Sequence, residues 1–185
     1  MKTATVRLKS VSPYGQGKYH DTEKLEKESP ANYEKRTWRE KLHVNKDGYV
    51  FIPPMAFKNC LSECAKYLSI KIPGKGQATY TKHFEAGISI SEPVVLDIKK
   101  EDVPAECLFV PSDGRRGGTK RVSKYFPVIH DWKGTLIIHI FDETITEDVL
   151  KKHLEQAGQF IGVGRFRPRN NGYYGRFNVK SIFWK

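Results

Sequence analysis

Cysteine is scarce in this 185-residue chain. Three thiols, an odd number, make no disulfide framework, and a chain of this length can bury a core without one. A reducing, cytoplasmic setting is therefore expected. No run of about 18 apolar residues occurs, so no membrane-spanning helix is expected. The opening residues, MKTATVRLKS, alternate apolar with polar and lack the apolar centre of a signal peptide. Metal-binding spacings are missing too: the six histidines are scattered, without HExxH or paired CxxC. There is no GxSxG and no P-loop, and the glycines near Gly162 precede a strand pattern, not the helix that a dinucleotide fingerprint requires. No cofactor is expected.

Acid is the other absence. Residues 114–130 contain Arg115, Arg116, Lys120, Arg121 and Lys124, and residues 157–185 contain Arg165, Arg167, Arg169, Arg176, Lys180 and Lys185, without one Asp or Glu in either stretch. Five and six bases account for the whole net charge of +11 and leave the rest of the chain neutral. A concentrated excess of this kind attracts a polyanion and gains affinity by releasing its counterions. Its bland alternative is a solvated basic face that keeps the protein soluble.

Periodicity supplies the elements. Residues 3–11 alternate as a first strand, closed by Ser12-Pro13 and a turn at residues 15–17. Residues 18–41 are charged but balanced, with Tyr19, Tyr33 and Trp38 interleaved, and read as an excursion with a helix over 30–40. After an extended piece at 48–52, Pro53-Pro54 opens a helix on which Phe57, Cys60, Leu61, Cys64, Ala65 and Leu68 form one apolar stripe. Residues 86–98 read as one strand broken at Pro93. Segments 108–111 and 128–130 flank a long loop, and 134–141 is a strand. Thr146 then caps a helix that Gly158 ends in a left-handed conformation. A glycine-broken loop leads into the last strand, where Phe177, Val179 and Phe183 alternate as inward residues would.

The frame is βαββαβ: an α+β, ferredoxin-like (RRM-like) single domain over residues 1–185, with a long insert at about 14–47 and a basic arm at about 108–130. Two helices cover one sheet face and the other stays open, the face that serves as platform in RNA-recognition modules of this topology.

Chemistry concentrates in the C-terminal loop. Gly162, Gly164, Arg165, Arg167, Arg169, Tyr173, Tyr174 and Arg176 join free amides, planar phosphate forks and ring faces for unstacked bases. Residues 112–124 repeat the charge without aromatics, as a flexible arm that would order on a strand. Cys60 and Cys64, four apart on the apolar stripe, read as core. His20 and His43 are the only weak candidates for acid–base chemistry.

Two segments together resemble the RAMP superfamily, the ferredoxin-like RNA-binding subunits and nucleases of CRISPR systems. Ile52, Pro53, Lys58 and Leu61 match its extended piece, Ile-Pro turn and helix with a lysine in the first turn. Pro54, Met55 and Ala56 replace the family's Gly-Ser-Ser, and Ser62 stands where arginine is common. Residues 161–165 with Gly172, Gly175, Arg176 and Phe177 look like its late glycine-rich loop, and the basic arm sits where backbone subunits carry a thumb-like hairpin. The likeness covers residues 3–11 and 48–185. It implies sequence-tolerant binding of single-stranded RNA by several subunits side by side, a homo-oligomer along the strand, with Lys58 among the binding residues. A stand-alone viral or mobile-element relative coating single-stranded DNA fits as well. The alternatives are a metal-independent endoribonuclease with His20 or His43 as base, and an inhibitor that docks on an acidic protein surface.

Overall fold

The computed structural model describes residues 1–185 except 113 and 116. In chain order the strands are β1 (Lys2–Ser10), β2 (Tyr14–Gly15), β3 (Tyr49–Ile52), β4 (Ile88–Ser89), β5 (Val94–Lys99), β6 (Ala105–Pro111), β7 (Arg121–Ile129), β8 (Lys133–Ile140) and β9 (Phe177–Trp184). The helices are α1 (Pro30–Thr37), α2 (Pro54–Leu68), α3 (Thr81–Ala86) and α4 (Glu147–Gln156). The main sheet runs β4-β8-β1-β9, antiparallel throughout, so β8 and β1 pair at its centre and the last strand, β9, adds to β1 at the edge. With α2 and α4 this is the α+β, ferredoxin-like arrangement. No helix among the described residues is long and apolar enough to cross a membrane.

Alternation sets the core. Ala4, Val6 and Leu8 of β1 and Leu136, Ile138 and Ile140 of β8 point to the helix side and are buried. Against them lie Phe57, Cys60, Leu61, Cys64 and Ala65 of α2 and Leu150 and Leu154 of α4. Each large side chain here contributes about 1.5–3 kcal/mol by leaving water. Pro54 occupies the first turn of α2, where its missing amide costs nothing, and Ser69 stops the helix in a left-handed conformation at φ 48°. The Thr146 hydroxyl accepts from the Val149 amide and caps α4. Cys60 and Cys64 sit inside, their thiols turned to the Ala157 and His153 carbonyls.

The structure corrects several local readings. Residues 86–98 are two strands: β4 stays at the sheet edge, while β5 leaves to pair with β3. The supposed turn at 15–17 begins as β2, which pairs with the foot of β7. The second part of the basic loop, from Arg121 on, is strand, since β6 and β7 form a seven-pair hairpin from Ala105↔Pro127 to Pro111↔Arg121. Gly158 is not the left-handed cap: α4 continues as a π-helical turn over Ala157–Ile161, and the positive φ falls at Gly162. A Cβ at Gly158 would stand 2.1 Å from the Phe177 carbonyl oxygen, so that glycine serves helix–strand contact. Phe183 points outward, because one extra residue of β9 is accommodated where Leu8 faces Val179 and Arg7 faces Ser181. The bulge flips the phase, and Ile182 and Trp184 take the inner positions.

Candidate nucleic-acid interface

Three segments far apart in the chain meet on the ring of Phe126. Behind β1 the chain makes β2, and Gly15 accepts a hydrogen bond from the Arg165 amide at 3.0 Å. Gly164 fits under Gly15 only because it lacks a side chain: a Cβ would stand 2.5 Å from the Gly15 carbonyl oxygen. A Cβ on Gly17 would likewise meet the Arg165 side chain at 2.5 Å. Gly164 and Gly17 together let the Arg165 guanidinium cross the backbone to Phe126, 4.7 Å from the ring centroid, with Phe166 at 5.5 Å. Lys41, from the insert, also lies 4.8 Å from the centroid of Phe126.

Around this ring opens a shallow cleft lined by Lys18, Tyr19, His20, Tyr33, Glu34, Lys41, Lys124, Phe126 and Arg165. Its one carboxylate, Glu34, is paired with Lys41 at 2.6 Å, and Lys41 also donates to the Tyr125 carbonyl. The charged ends of Lys18, Lys124 and Arg165 form no ion pair among the described residues. Arg165 is exposed as a whole, yet its guanidinium is partly desolvated and its pKa is lowered. These donors are unspent, which is the state a phosphate site requires. His20 stacks on Tyr33 at 6.2 Å and its Nδ1 contacts the Thr22 hydroxyl. Burial, then the charge of Lys18, holds the His43 pKa below the ordinary value, and its ring leans on Phe51.

A row of rings leads out of the cleft: Phe126 to Phe166 at 5.4 Å, Phe166 to Tyr174 at 6.0 Å, Tyr174 to Tyr173 at 5.9 Å. The two tyrosines differ. Tyr174 is half-buried and its hydroxyl donates to the Glu106 carboxylate; burial first, then that bond, pushes its pKa up to about 12. Tyr173 is 61% exposed at the end of the row. The glycines of this loop serve its own folding. Gly175 donates to the Pro13 carbonyl, and a Cβ there would stand 1.8 Å from the Val163 oxygen.

The other expected binding residues scatter. Arg167 and Arg169 both reach Glu63 on α2, at 2.9 and 3.0 Å, away from the cleft. Arg176 donates through Nε to the Gln159 carbonyl. Lys58 does not join the basic surface: its ammonium donates to the Phe84 and Glu85 carbonyls and contacts the Ser62 hydroxyl, tying α2 to the end of α3. Arg115, Lys120 and Arg121 lie at and beside the hairpin tip, where Arg121 bonds the Phe109 carbonyl. Arg116 lies outside the described residues. Of the expected set, Lys124 and Arg165 share the cleft, with Tyr174 and Tyr173 leading from it. The sequence reading passed over Lys18, Tyr19, Tyr33, Lys41 and Phe126; the interleaved aromatics of the insert were the available signal.

No protein-family model and no curated protein matches the chain. Solved structures do. One is a chain of the cryo-EM structure of the Type III-B Cmr-beta bound to cognate target RNA, at TM-score 0.58 and 9% identity over 99% of this chain. This chain spans 60% of that one's length. Another is the crystal structure of Cmr6 from Pyrococcus furiosus, at TM-score 0.50 and 14% identity, covering 97% of this chain and 99% of that one. At such identities the likeness is one of fold, and the chain shares the α+β, ferredoxin-like fold of these structures.

Proposed function

We propose that this protein binds single-stranded nucleic acid, with little regard for sequence, in the cleft around Phe126. The observation that carries this reading is the convergence of Lys18, Lys124 and Arg165, none paired with a carboxylate among the described residues, beside the rings of Tyr19, His20, Tyr33 and Phe126. Unpaired cations hold phosphates whatever the sequence, and ring faces accept any base. The hairpin formed by β6 and β7 extends the basic surface with Arg115, Lys120 and Arg121. RNA is the proposed polymer, supported by the fold shared with a chain whose structure is bound to target RNA. Single-stranded DNA offers the same backbone and bases and is the second polymer to test.

The binding is non-catalytic in this reading, and several copies sit side by side on one strand. Neither His20 nor His43 forms an ion pair with a carboxylate among the described residues, so no such partner orients either as a base. Electrophoretic titration with labelled RNA, single-stranded DNA and duplex, in chelator, tests the reading. Single strands should bind, remain intact, and show steps of added protein as their length grows. Affinity should fall with salt at a log–log slope of roughly −0.7 per neutralised phosphate. Affinity indifferent to salt would refute the cleft. Cleavage abolished by His20→Ala or His43→Ala would make the protein a nuclease.

A further inference from the structure

We infer that the open face of the main sheet, along β1 and β9, is a second binding track for single-stranded nucleic acid, separate from the cleft. Register places its residues. Across β1, Thr5 faces Phe183, Arg7 faces Ser181 on one side and Thr135 on the other, and Lys9 faces Lys133. Directly paired residues share a face, and these lie opposite the buried Ala4, Val6 and Leu8. Thr3 exchanges backbone hydrogen bonds with Lys185, which brings Lys185 beside Phe183, its ammonium 5.4 Å from the ring centroid.

The face is basic, carries no acid of its own on β1 or β9, and is not covered by a helix. Arg7, Lys9, Lys133 and Lys185 are exposed, and none is in an ion pair among the described residues. Among the described residues, Glu92 and Asp97 share a groove with Arg7 and Lys133, and Asp97 and Asp131 share a second one with Lys9 and Lys133 at the Trp132 end. The acids gather on the β8 side and the Lys9 end, so a polyanion is favoured along Arg7, Phe183 and Lys185. Phe183 is the base platform: it is 60% exposed, and it faces outward only because the bulge at Lys180 reverses the phase that buries Phe177 and Val179. A large ring turned to water at the cost of a regular ladder, next to a row of unpaired cations, fits an unstacked base and its phosphates. Arg7 and Lys9, two residues apart on one strand, stand about 7 Å from each other along it.

This inference shares the polymer with the proposed function but not the site, so the two fail separately. The full chain is irradiated with a labelled oligouridylate containing 4-thiouridine, and crosslinked peptides are mapped. The expected result is a crosslink within residues 181–185 that persists in Arg165→Ala and disappears in Phe183→Ala. Phe183→Ala, and Arg7→Glu with Lys9→Glu, should each lower affinity about tenfold, one lost stack or two lost phosphate contacts. Exposed positions keep these variants folded, and circular dichroism checks it. Crosslinks confined to the cleft, with sheet variants binding as the parent does, overturn the second track and leave the first. No crosslink and no binding anywhere overturns both.

Discussion

Replacing Arg165 by alanine separates binding from folding at the centre of the cleft. The guanidinium rests on Phe126 at 4.7 Å and Phe166 at 5.5 Å and makes no ion pair among the described residues. Two partly exposed cation–π contacts stabilise by about 0.5–1 kcal/mol each. Lys41 still packs on Phe126 in the variant, so the loss should stay near 1 kcal/mol, a fall in Tm of roughly 2–4 °C. Binding should suffer more. One charge-assisted bond to phosphate is worth about 1.5–3 kcal/mol, a tenfold to hundredfold drop in affinity, and the salt slope should flatten by about 0.7. Fluorescence anisotropy with a labelled 15-mer across a salt series reads both quantities, and thermal melts read the third. Unchanged affinity and slope with a large loss of Tm would make Arg165 a structural clamp and refute the phosphate assignment.

The tyrosines should part company. Tyr173→Ala should leave stability within about 0.5 kcal/mol and weaken binding by about 1–3 kcal/mol, whereas Tyr174→Ala should cost about 2 kcal/mol of stability by removing the ring between Phe166 and Gly15; urea melts and anisotropy together test the split. Burial pushes the Cys64 thiol up to about 12 and the Cys60 thiol further still, while Cys107 is exposed. Ellman's reagent should therefore titrate one thiol in the native protein and three in guanidinium, and fast reaction of three native thiols would contradict the packing of α2 on α4. His153 is buried against Phe84 at 4.3 Å, its Nδ1 bonds the Val149 carbonyl, and burial lowers its pKa. The folded state thus favours the neutral ring, so its contribution is complete above the unfolded value of about 6.5 and is lost as pH falls below it. Urea unfolding at stepped pH should show this decline, shallower in His153→Leu; an unchanged pH dependence in that variant would assign the decline elsewhere.

Local pattern determined the frame. Alternation in residues 3–11 and 134–141 is a property of neighbouring side chains, and so is the stripe from Phe57 to Leu68; each found its place in the sheet or on it. The acid-free stretches were equally legible, because charge is counted without coordinates. What each charge does was decided by space. Lys58, Arg167 and Lys124 look alike in sequence, yet the first is spent on the carbonyls of α3, the second on Glu63, and the third faces an open cleft. In sequence the glycines of the late loop suggest room for phosphate, but Gly164 makes room for Gly15 and Gly175 for Val163. A single bulged residue in β9, invisible to alternation, turned Phe183 from core to surface. Composition and periodicity are sums over near neighbours. A binding site is a meeting of distant segments, and only the closed fold sets which donors remain unspent when they meet.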